Sequence, residues 1–234
     1  MHSGASIHYV QSMLQFQQAC IMNNIVVSFT LLKSSLVQQG RNLCVADFIS
    51  HKDNYTHLLF IDSDIDFNHK TIFTMLEKDK DRKLQKHGAK DADSLSKLGF
   101  TFPIKMKDPK KFNVEEGLVE VTHAPTGCML IKRGVIEKMM KAHPELEIYQ
   151  PTFINGKETK KPNMYNLFEC LHDPKTKRYF GEDFGFCQRW LEMGGKTYLY
   201  VLDYITHVGD HQYCGRFWDD LLNVKQVDPI KKIK

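Results

Sequence analysis

Alternating aspartates follow directly on a short apolar run, and this stretch is suited to binding a cation. The apolar run is residues 57–61, and the acids are Asp62, Asp64 and Asp66. Carboxylates two residues apart can converge on one point once a strand gives way to a turn, and hard divalent cations prefer oxygen ligands. Asp62 and Asp64 are therefore predicted to bind a divalent cation. The alternative is a polar turn that caps the helix predicted to start near Asn68.

Glu182 and Asp183 open a predicted helix, where unpaired N–H groups and the helix dipole favour the ionised form of a carboxyl group. A general base must be ionised before it can take a proton. The pair is therefore predicted to supply a general base. The alternative is that both acids only cap the helix.

His207 follows the last predicted strand of the chain. Imidazole is a good ligand for manganese as well as for zinc, so His207 is a candidate metal ligand. Its alternative role is that of a hydrogen-bonded histidine at a strand end. The order of the three features along the chain, an Asp-x-Asp, an acid pair and a histidine, predicts a metal site, a base and a further metal ligand.

The elements that must position these residues alternate between helix and strand. Residues 57–61 read as a buried, parallel strand, and ligands of open α/β sheets bind at the carboxyl ends of the strands. Before that strand the pattern predicts a helix, a strand at 25–29 and a second helix. We therefore predict an α/β domain with a mostly parallel central sheet and flanking helices. Such a domain normally opens with a strand, so the first strand is predicted to be missing.

Apolar spacing and turn residues place the remaining elements. The first helix is predicted to turn five apolar residues inward: Ile7, Val10, Leu14, Ala19 and Ile21. Residues 79–97 are dense in Lys and Asp and are predicted to form an exposed, mobile insertion. The other predicted elements are helices at 34–51, 68–79, 133–142 and from 181, strands at 98–103, 117–121, 127–131, 165–171 and 197–205, and a loop at 144–161.

Composition limits the class of protein. A chain of 234 residues fits a single domain. The net charge is +4, and the lysines are spread except for Lys231, Lys232 and Lys234, which argues against nucleic acid but suits an anionic substrate. Six scattered cysteines without a C-x-x-C pair indicate reduced thiols. No apolar run approaches the roughly twenty residues of a membrane span, and no leader is evident. These features predict a cytoplasmic protein without a transmembrane segment.

Several stretches, in this order, resemble the small GT-A fold nucleotide-sugar glycosyltransferases, in particular the compact, family-2-like enzymes of phages, algal viruses and bacteria. The stretches are residues 35–42 (SLVQQGRN), 57–67 (HLLFIDSDIDF), 125–131 (PTGCMLI), 181–190 (GEDFGFCQRW), 207–209 (HVG) and 213–215 (YCG). The resemblance implies a Rossmann-like GT-A domain over residues 1–234. It also implies a hexosyltransferase-like activity in the cytoplasm, or in the host cytoplasm for a viral protein.

The resemblance further implies roles for individual residues. Asp62 and Asp64 would face a Mn²⁺ or Mg²⁺ ion that bridges the donor diphosphate, with His207 as a third protein ligand. Ser63 and Arg41 would join the two aspartates in contacting the nucleotide sugar, a UDP-sugar above all. By the same resemblance, Asp183 would be the base that activates the acceptor, which would be a glycan or another hydroxyl compound, and Glu182 would bind hydroxyl groups of that acceptor. A single base opposite the leaving group gives inversion at the anomeric carbon, and the alternative, retention, would need another arrangement of groups.

Two other functions fit parts of the pattern. A phosphatase of the haloacid dehalogenase type also places Asp-x-Asp after an apolar strand, but that strand is normally the first, and a small-residue turn follows where this chain has Asp66-Phe67. A non-catalytic module that binds a sugar or a nucleotide is compatible with a missing first strand. Such a module has no need of the acid pair Glu182-Asp183.

Overall fold

The computed structural model describes residues 5–78, 103–108, 112–149, 151–154, 157–208 and 212–219. The chain divides into two compact units. The first unit contains residues 1–27, 62–121 and 198–234, and the second contains residues 28–61 and 122–197. The single domain expected over residues 1–234 stays a prediction.

Helices account for much of the described chain. They are α1 (Ile7–Met22), α2 (Val37–Ser50), α3 (His69–Lys78), α4 (Arg133–Ala142), a 3₁₀ turn (Pro144–Leu146) and α5 (Glu182–Glu192). The α-helices agree with the predicted ones to within a few residues. None of the helices in the described ranges is long and apolar enough to cross a membrane.

The strands are short. They are β1 (His57–Ile61), β2 (Ile65–Asp66), β3 (Val114–Glu115), β4 (Leu118–Val121), β5 (Cys128–Lys132), β6 (Pro151–Ile154), β7 (Lys157–Lys160), β8 (Leu171–Asp173), β9 (Arg178–Phe180), β10 (Thr197–Tyr200), β11 (Ile205–Val208) and β12 (Gln212–Gly215).

The predicted GT-A (Rossmann-like) architecture, with its mostly parallel central sheet and missing first strand, is wrong. The strands form separate sheets of two or three members: β1-β5, β10-β4-β3, β12-β11-β2, β6-β7 and β8-β9. The β1-β5 pair is antiparallel, as are β3-β4, β6-β7, β8-β9 and both pairings of β11. The prediction failed because an apolar run indicates a strand without giving the direction of its partner. Only Phe60 is fully buried in β1, whereas a central parallel strand is covered on both faces.

The second unit has a continuous apolar core around the β1-β5 pair. Its buried members are Val45, Phe48, Phe60, Ile131, Ile136, Met139, Leu167, Phe168 and Phe186. The Phe168 ring meets Phe60 edge-on at 5.4 Å between centroids and stacks on Phe186 at 4.5 Å. Burying a phenylalanine stabilises a fold by about 1.5–3 kcal/mol, so these rings contribute strongly to holding α5 against β1.

The first unit buries a different face of α1 from the predicted one. The buried residues are Tyr9, Ser12, Phe16 and Cys20. Ile7 and Leu14, which were predicted to face inward, are 78% and 61% exposed. Both faces carry apolar residues at helical spacing, so periodicity alone could not choose between them. The buried face is the one whose Ser12 hydroxyl donates a hydrogen bond to Asp66 Oδ1 at 2.7 Å.

Other local predictions also need correction. Residues 25–29 form no strand, because a β-branched run needs a neighbouring strand to accept its hydrogen bonds and the described residues supply none. The predicted loop at 144–161 contains the 3₁₀ turn and the β6-β7 hairpin. Of the strand predicted at 165–171, the structure has an isolated bridge between Glu147 and Tyr165, and Leu171 is the first residue of β8. The proposed insertion at 79–97 and most of the strand predicted at 98–103 lie outside the described residues.

Gly185 allows α5 to lie directly against the chain at Glu169. A Cβ atom added at Gly185 would overlap the Glu169 carbonyl oxygen, which is backbone and cannot rotate away. We expect Gly185→Ala to lower the free energy of unfolding by about 1–3 kcal/mol, the usual cost of overpacking. Gly134→Ala is the matched control, since its added Cβ meets nothing within 4 Å and alanine is the better helix former. Urea unfolding measures both, and equal stabilities of the two variants would contradict this placement of α5.

Candidate functional site

The Asp-x-Asp stretch forms the tight turn between β1 and β2, in agreement with the sequence prediction. Asp62 follows β1 directly, and the Ile65 N–H donates to the Asp62 carbonyl at 3.0 Å to close the turn. Ser63 is exposed at the tip of the turn, and its carbonyl accepts a hydrogen bond from the Ser6 N–H at 3.0 Å. The N-terminus of α1 therefore abuts the turn that carries the aspartates.

Asp64 and His207 meet in the first unit although they are far apart in the sequence. In the antiparallel β2-β11 pair, Ile65 lies opposite His207, and the Val208 N–H donates to the Asp64 carbonyl at 2.7 Å. Asp64 Oδ2 lies 3.3 Å from His207 Nε2, and the two side chains are 40% and 57% exposed. His207 is thus inside β11, not after the last strand as predicted. The structure brings together two of the three proposed metal ligands at an accessible position.

The chemistry and spacing of this pair fit one transition-metal ion. Two ligand atoms bound at right angles to one ion, each at about 2.1 Å, are about 3 Å apart, close to the observed 3.3 Å. A carboxylate with an imidazole suits Mn²⁺ better than Mg²⁺, which prefers oxygen ligands alone. Without a cation, the same contact is an ion pair whenever His207 is protonated.

Asp62 does not complete a three-ligand group with this pair. Within the part of the chain that the structure describes, no set of three His, Cys, Asp or Glu side chains is arranged to hold a metal ion. Two protein ligands leave further coordination positions on a cation, which water or substrate oxygens can occupy. The Asp62 charge acts instead on Tyr9, whose pKa is raised by burial and, to a smaller extent, by Asp62.

Tyr9 is a neighbour of the site that the sequence did not single out. It lies on the buried face of α1, and the Ser6 side chain caps that helix by accepting from the Tyr9 N–H at 3.0 Å. The sequence around Tyr9 shows only an aromatic residue at helical spacing, and this local pattern does not predict that Tyr9 lies near Asp62. Only the packing of α1 against the turn places Tyr9 within reach of the Asp62 charge.

Glu182 and Asp183 open α5 in the second unit, as predicted. Asp183 Oδ1 accepts from the Phe184 N–H at 2.6 Å. The pKa of Asp183 is nevertheless raised, mainly by burial and also by the Glu182 charge, while the Phe184 N–H and Arg41 act in the opposite direction. The expectation that the helix start would favour the ionised form is therefore corrected, because desolvation outweighs the hydrogen bond. A carboxylate with a raised pKa is a stronger base once ionised.

Arg41 lies against the acid pair within the same unit. Its Nε is 3.6 Å from Glu182 Oε1, its guanidinium lies 5.3 Å from the centre of the Phe60 ring, and only 8% of the residue is exposed. The adjacent Asn42 is also buried and fixes this part of α2 by accepting from the Phe168 N–H at 3.0 Å. The contact of Arg41 with a nucleotide sugar stays a prediction, and Glu182 is one observed charge partner of Arg41.

The predicted site residues thus fall into two groups. Asp62, Ser63, Asp64 and His207 belong to the first unit, whereas Arg41, Glu182 and Asp183 belong to the second.

The raised pKa of Asp183 predicts how its replacement affects stability. A carboxyl group whose pKa is raised by folding contributes stability below its ordinary pKa of 3.8, and this contribution is lost as pH rises through the folded value. Asp183→Asn should therefore be at least as stable as the wild type at pH 7, and its advantage should disappear at pH 3. Thermal unfolding at both pH values measures this.

Asp173→Asn is the control, because it makes the same change of charge but should change stability at pH 7 in the opposite direction. Hydrogen bonds, first from the Thr176 hydroxyl, lower the pKa of Asp173, so its stabilising contribution exists above pH 3.8 and is lost as pH falls through the folded value. Asp173→Asn should lower the melting temperature at pH 7 and have little effect in acid. A destabilised Asp183→Asn protein at pH 7 would contradict the assigned burial of Asp183.

A scan of this chain against protein-family models, and searches of curated proteins and of solved structures, found no match.

Proposed function

We propose that this chain is a metal-dependent glycosyltransferase that moves a sugar from a nucleoside-diphosphate sugar to an acceptor hydroxyl with inversion. The observation that carries the proposal is the 3.3 Å approach of Asp64 Oδ2 and His207 Nε2 beside the Asp62-Ser63-Asp64 turn. Two exposed ligands from distant parts of the chain make an open site, which leaves room for diphosphate oxygens. The resemblance of the surrounding stretches to nucleotide-sugar transferases supports the same reaction.

The proposed metal is Mn²⁺, with Mg²⁺ as the less suitable ion for a site that includes an imidazole. Asp64 and His207 would hold it, with Asp62 nearby. When bound, the cation offsets the negative charge that develops on the leaving nucleoside diphosphate. Donor binding is then expected to depend on the metal.

The proposed base is Asp183. Its carboxylate takes the proton of the acceptor hydroxyl as that oxygen forms a bond to the anomeric carbon. The bond between the anomeric carbon and the diphosphate oxygen breaks, and its electron pair leaves with the nucleoside diphosphate. Glu182 is proposed to bind acceptor hydroxyl groups, and its ion pair with Arg41 limits the orientations that it can adopt.

The proposed donor is a UDP-sugar and the acceptor a glycan or another hydroxyl compound, on the resemblance alone. The proposed compartment is the cytoplasm. All six cysteines are free thiols, which fits a reducing environment.

The test is release of nucleoside diphosphate from nucleotide sugars with and without Mn²⁺, followed by transfer to added acceptors. Slow release that requires Mn²⁺ supports the transferase. Release of inorganic phosphate from simple phosphoesters would instead identify a phosphatase, and binding without turnover would identify a binding module.

His207→Ala tests the histidine as a metal ligand. We expect the Mn²⁺ affinity to fall by at least about tenfold, because mutating even an outer-sphere partner of a metal site lowers metal affinity by about 10–100-fold. The loss of Mn²⁺ affinity should be smaller than in Asp64→Asn, because an imidazole supplies one uncharged ligand among several. Mn²⁺ titration followed by electron paramagnetic resonance measures the affinity.

His172→Ala is the control, because His172 is likewise an exposed histidine in a strand. The His172→Ala protein should bind Mn²⁺ with the affinity of the wild type. If His207→Ala also retains full affinity, the contact with Asp64 has only a structural role.

A further inference from the structure

A buried histidine packs against both ends of the turn that carries the two acids of the second unit. His123 is only 5% exposed. Its ring stacks on Phe180, with 5.4 Å between centroids and an interplanar angle of 5°, and it meets Phe184 at 5.0 Å. Phe180 ends β9 and Phe184 lies in the first turn of α5, so Glu182 and Asp183 lie between two residues that contact one ring.

Both ring nitrogens of His123 have hydrogen-bond partners. Nε2 lies 3.1 Å from Gln188 Oε1, and Nδ1 lies 2.9 Å from the Thr122 hydroxyl oxygen. The amide nitrogen of Gln188 donates to Glu192 at 2.7 Å, so its oxygen faces the ring. We therefore assign the proton to Nε2, which donates to Gln188, while Nδ1 accepts from Thr122. This arrangement fixes the plane of the ring.

A second contact ties the same segment to α5. The Cys187 thiol donates to the Ala124 carbonyl at 3.6 Å. Burial raises the pKa of Cys187 to about 11, so the thiol is neutral and available as a donor. Residues 122–124 thus hold the first two turns of α5 through an aromatic stack and two side-chain hydrogen bonds.

We propose that His123 is a positioning residue for Asp183: its ring fixes both aromatic ends of the acid-bearing turn and thereby sets the position of the Asp183 carboxylate. The inference rests on the proposed role of Asp183 as the base. His123 does not itself touch the reacting atoms. Asp183 lies between the two phenylalanines that this ring contacts, and burial raises the pKa of its carboxyl group above the ordinary value.

Three variants separate the ring from its hydrogen bonds. His123→Phe keeps a flat ring for the stack and loses both hydrogen bonds, His123→Leu loses the ring plane, and Gln188→Leu frees the ring without changing it. His143→Leu is the control, because His143 is a histidine of the same unit that pairs with Glu145 after α4. Circular dichroism and thermal unfolding show which variants fold.

The first readout is the titration of the Asp183 carboxyl carbon by NMR, with the signal assigned from its loss in Asp183→Asn. In His123→Leu we expect the midpoint to fall by about one unit, comparable with the spread of carboxyl pKa values among protein sites. His123→Phe and Gln188→Leu keep an aromatic ring at this position and lose two and one of its hydrogen bonds, so both midpoints should stay within a few tenths of a unit of the wild-type value. An unchanged midpoint in folded His123→Leu overturns the proposal, and if His123→Leu does not fold, a fall of about one unit in folded His123→Phe, which keeps the ring, overturns it instead.

The second readout is transfer activity. We expect kcat to fall by about 10–10²-fold in His123→Leu, the usual result of a misplaced catalytic group, with the donor KM unchanged. Recovery in His123→Phe supports positioning by the ring. If the NMR midpoint shifts as expected while even the wild type transfers no sugar, the proposed function fails and the positioning of Asp183 by His123 stands.

Discussion

Asp183→Asn should lower the rate of sugar transfer by roughly 10²–10⁴-fold, the usual contribution of a general base. Asparagine keeps the size of the side chain and can still accept the hydrogen bond from the Phe184 N–H, so the start of α5 should be unchanged. It cannot take the proton of the acceptor hydroxyl. The loss should therefore appear in kcat, while donor affinity stays near the wild-type value, because the base acts on the acceptor.

The measurement is the transfer rate together with the nucleotide-sugar affinity of the same protein. Asp173→Asn makes the same change of charge at the last residue of β8 and should transfer sugar at close to the wild-type rate. Near-normal transfer by Asp183→Asn would show that the base is another residue. Loss of donor affinity together with transfer would place Asp183 in donor binding.

Asp64→Asn should abolish the metal-dependent part of nucleotide binding and leave the fold intact. Asparagine keeps a side-chain oxygen beside His207 but loses the negative charge that attracts a cation. The affinity for a nucleoside diphosphate in Mn²⁺ should fall by more than about 100-fold, since outer-sphere partners of metal sites are already worth 10–100-fold. The β2-β11 pairing should survive, because the hydrogen bond from Val208 uses the Asp64 backbone carbonyl.

Calorimetric titration of UDP with and without Mn²⁺ measures this effect. Asp53→Asn is a close control, because Asp53 is another exposed acid beside a histidine, with Oδ2 3.6 Å from His51 Nδ1. Its nucleotide affinity should match that of the wild type. An unchanged affinity in Asp64→Asn would rule out the proposed role of this aspartate in metal binding.

Local signals were sufficient for the helices and for the turn that carries the aspartates. Apolar spacing and polar ends placed α2, α3, α4 and α5 because helical hydrogen bonds connect residues four apart. The change from apolar residues to aspartates likewise marked the end of β1 at Ile61. The acid pair at the start of α5 was visible for the same reason, since helix starts have a local signature.

Strand partners were decided by the tertiary structure. The residues of β1 are compatible with a parallel or an antiparallel neighbour, and only the packing of the second unit pairs it with β5. The same holds for α1, which has apolar residues on two faces and buries the one that meets Asp66 through Ser12. In both cases the choice depends on residues distant in the sequence, which no local pattern specifies.

The candidate site combines both kinds of information. The sequence determined that Asp62, Asp64, Asp183 and His207 are residue types able to bind a cation or move a proton, and that three of them lie at the ends of local elements. The pairing of β2 with β11 decided that Asp64 meets His207. Burial in the second unit decided that the pKa of Asp183 rises despite the helix start, because desolvation depends on everything packed around the carboxyl group.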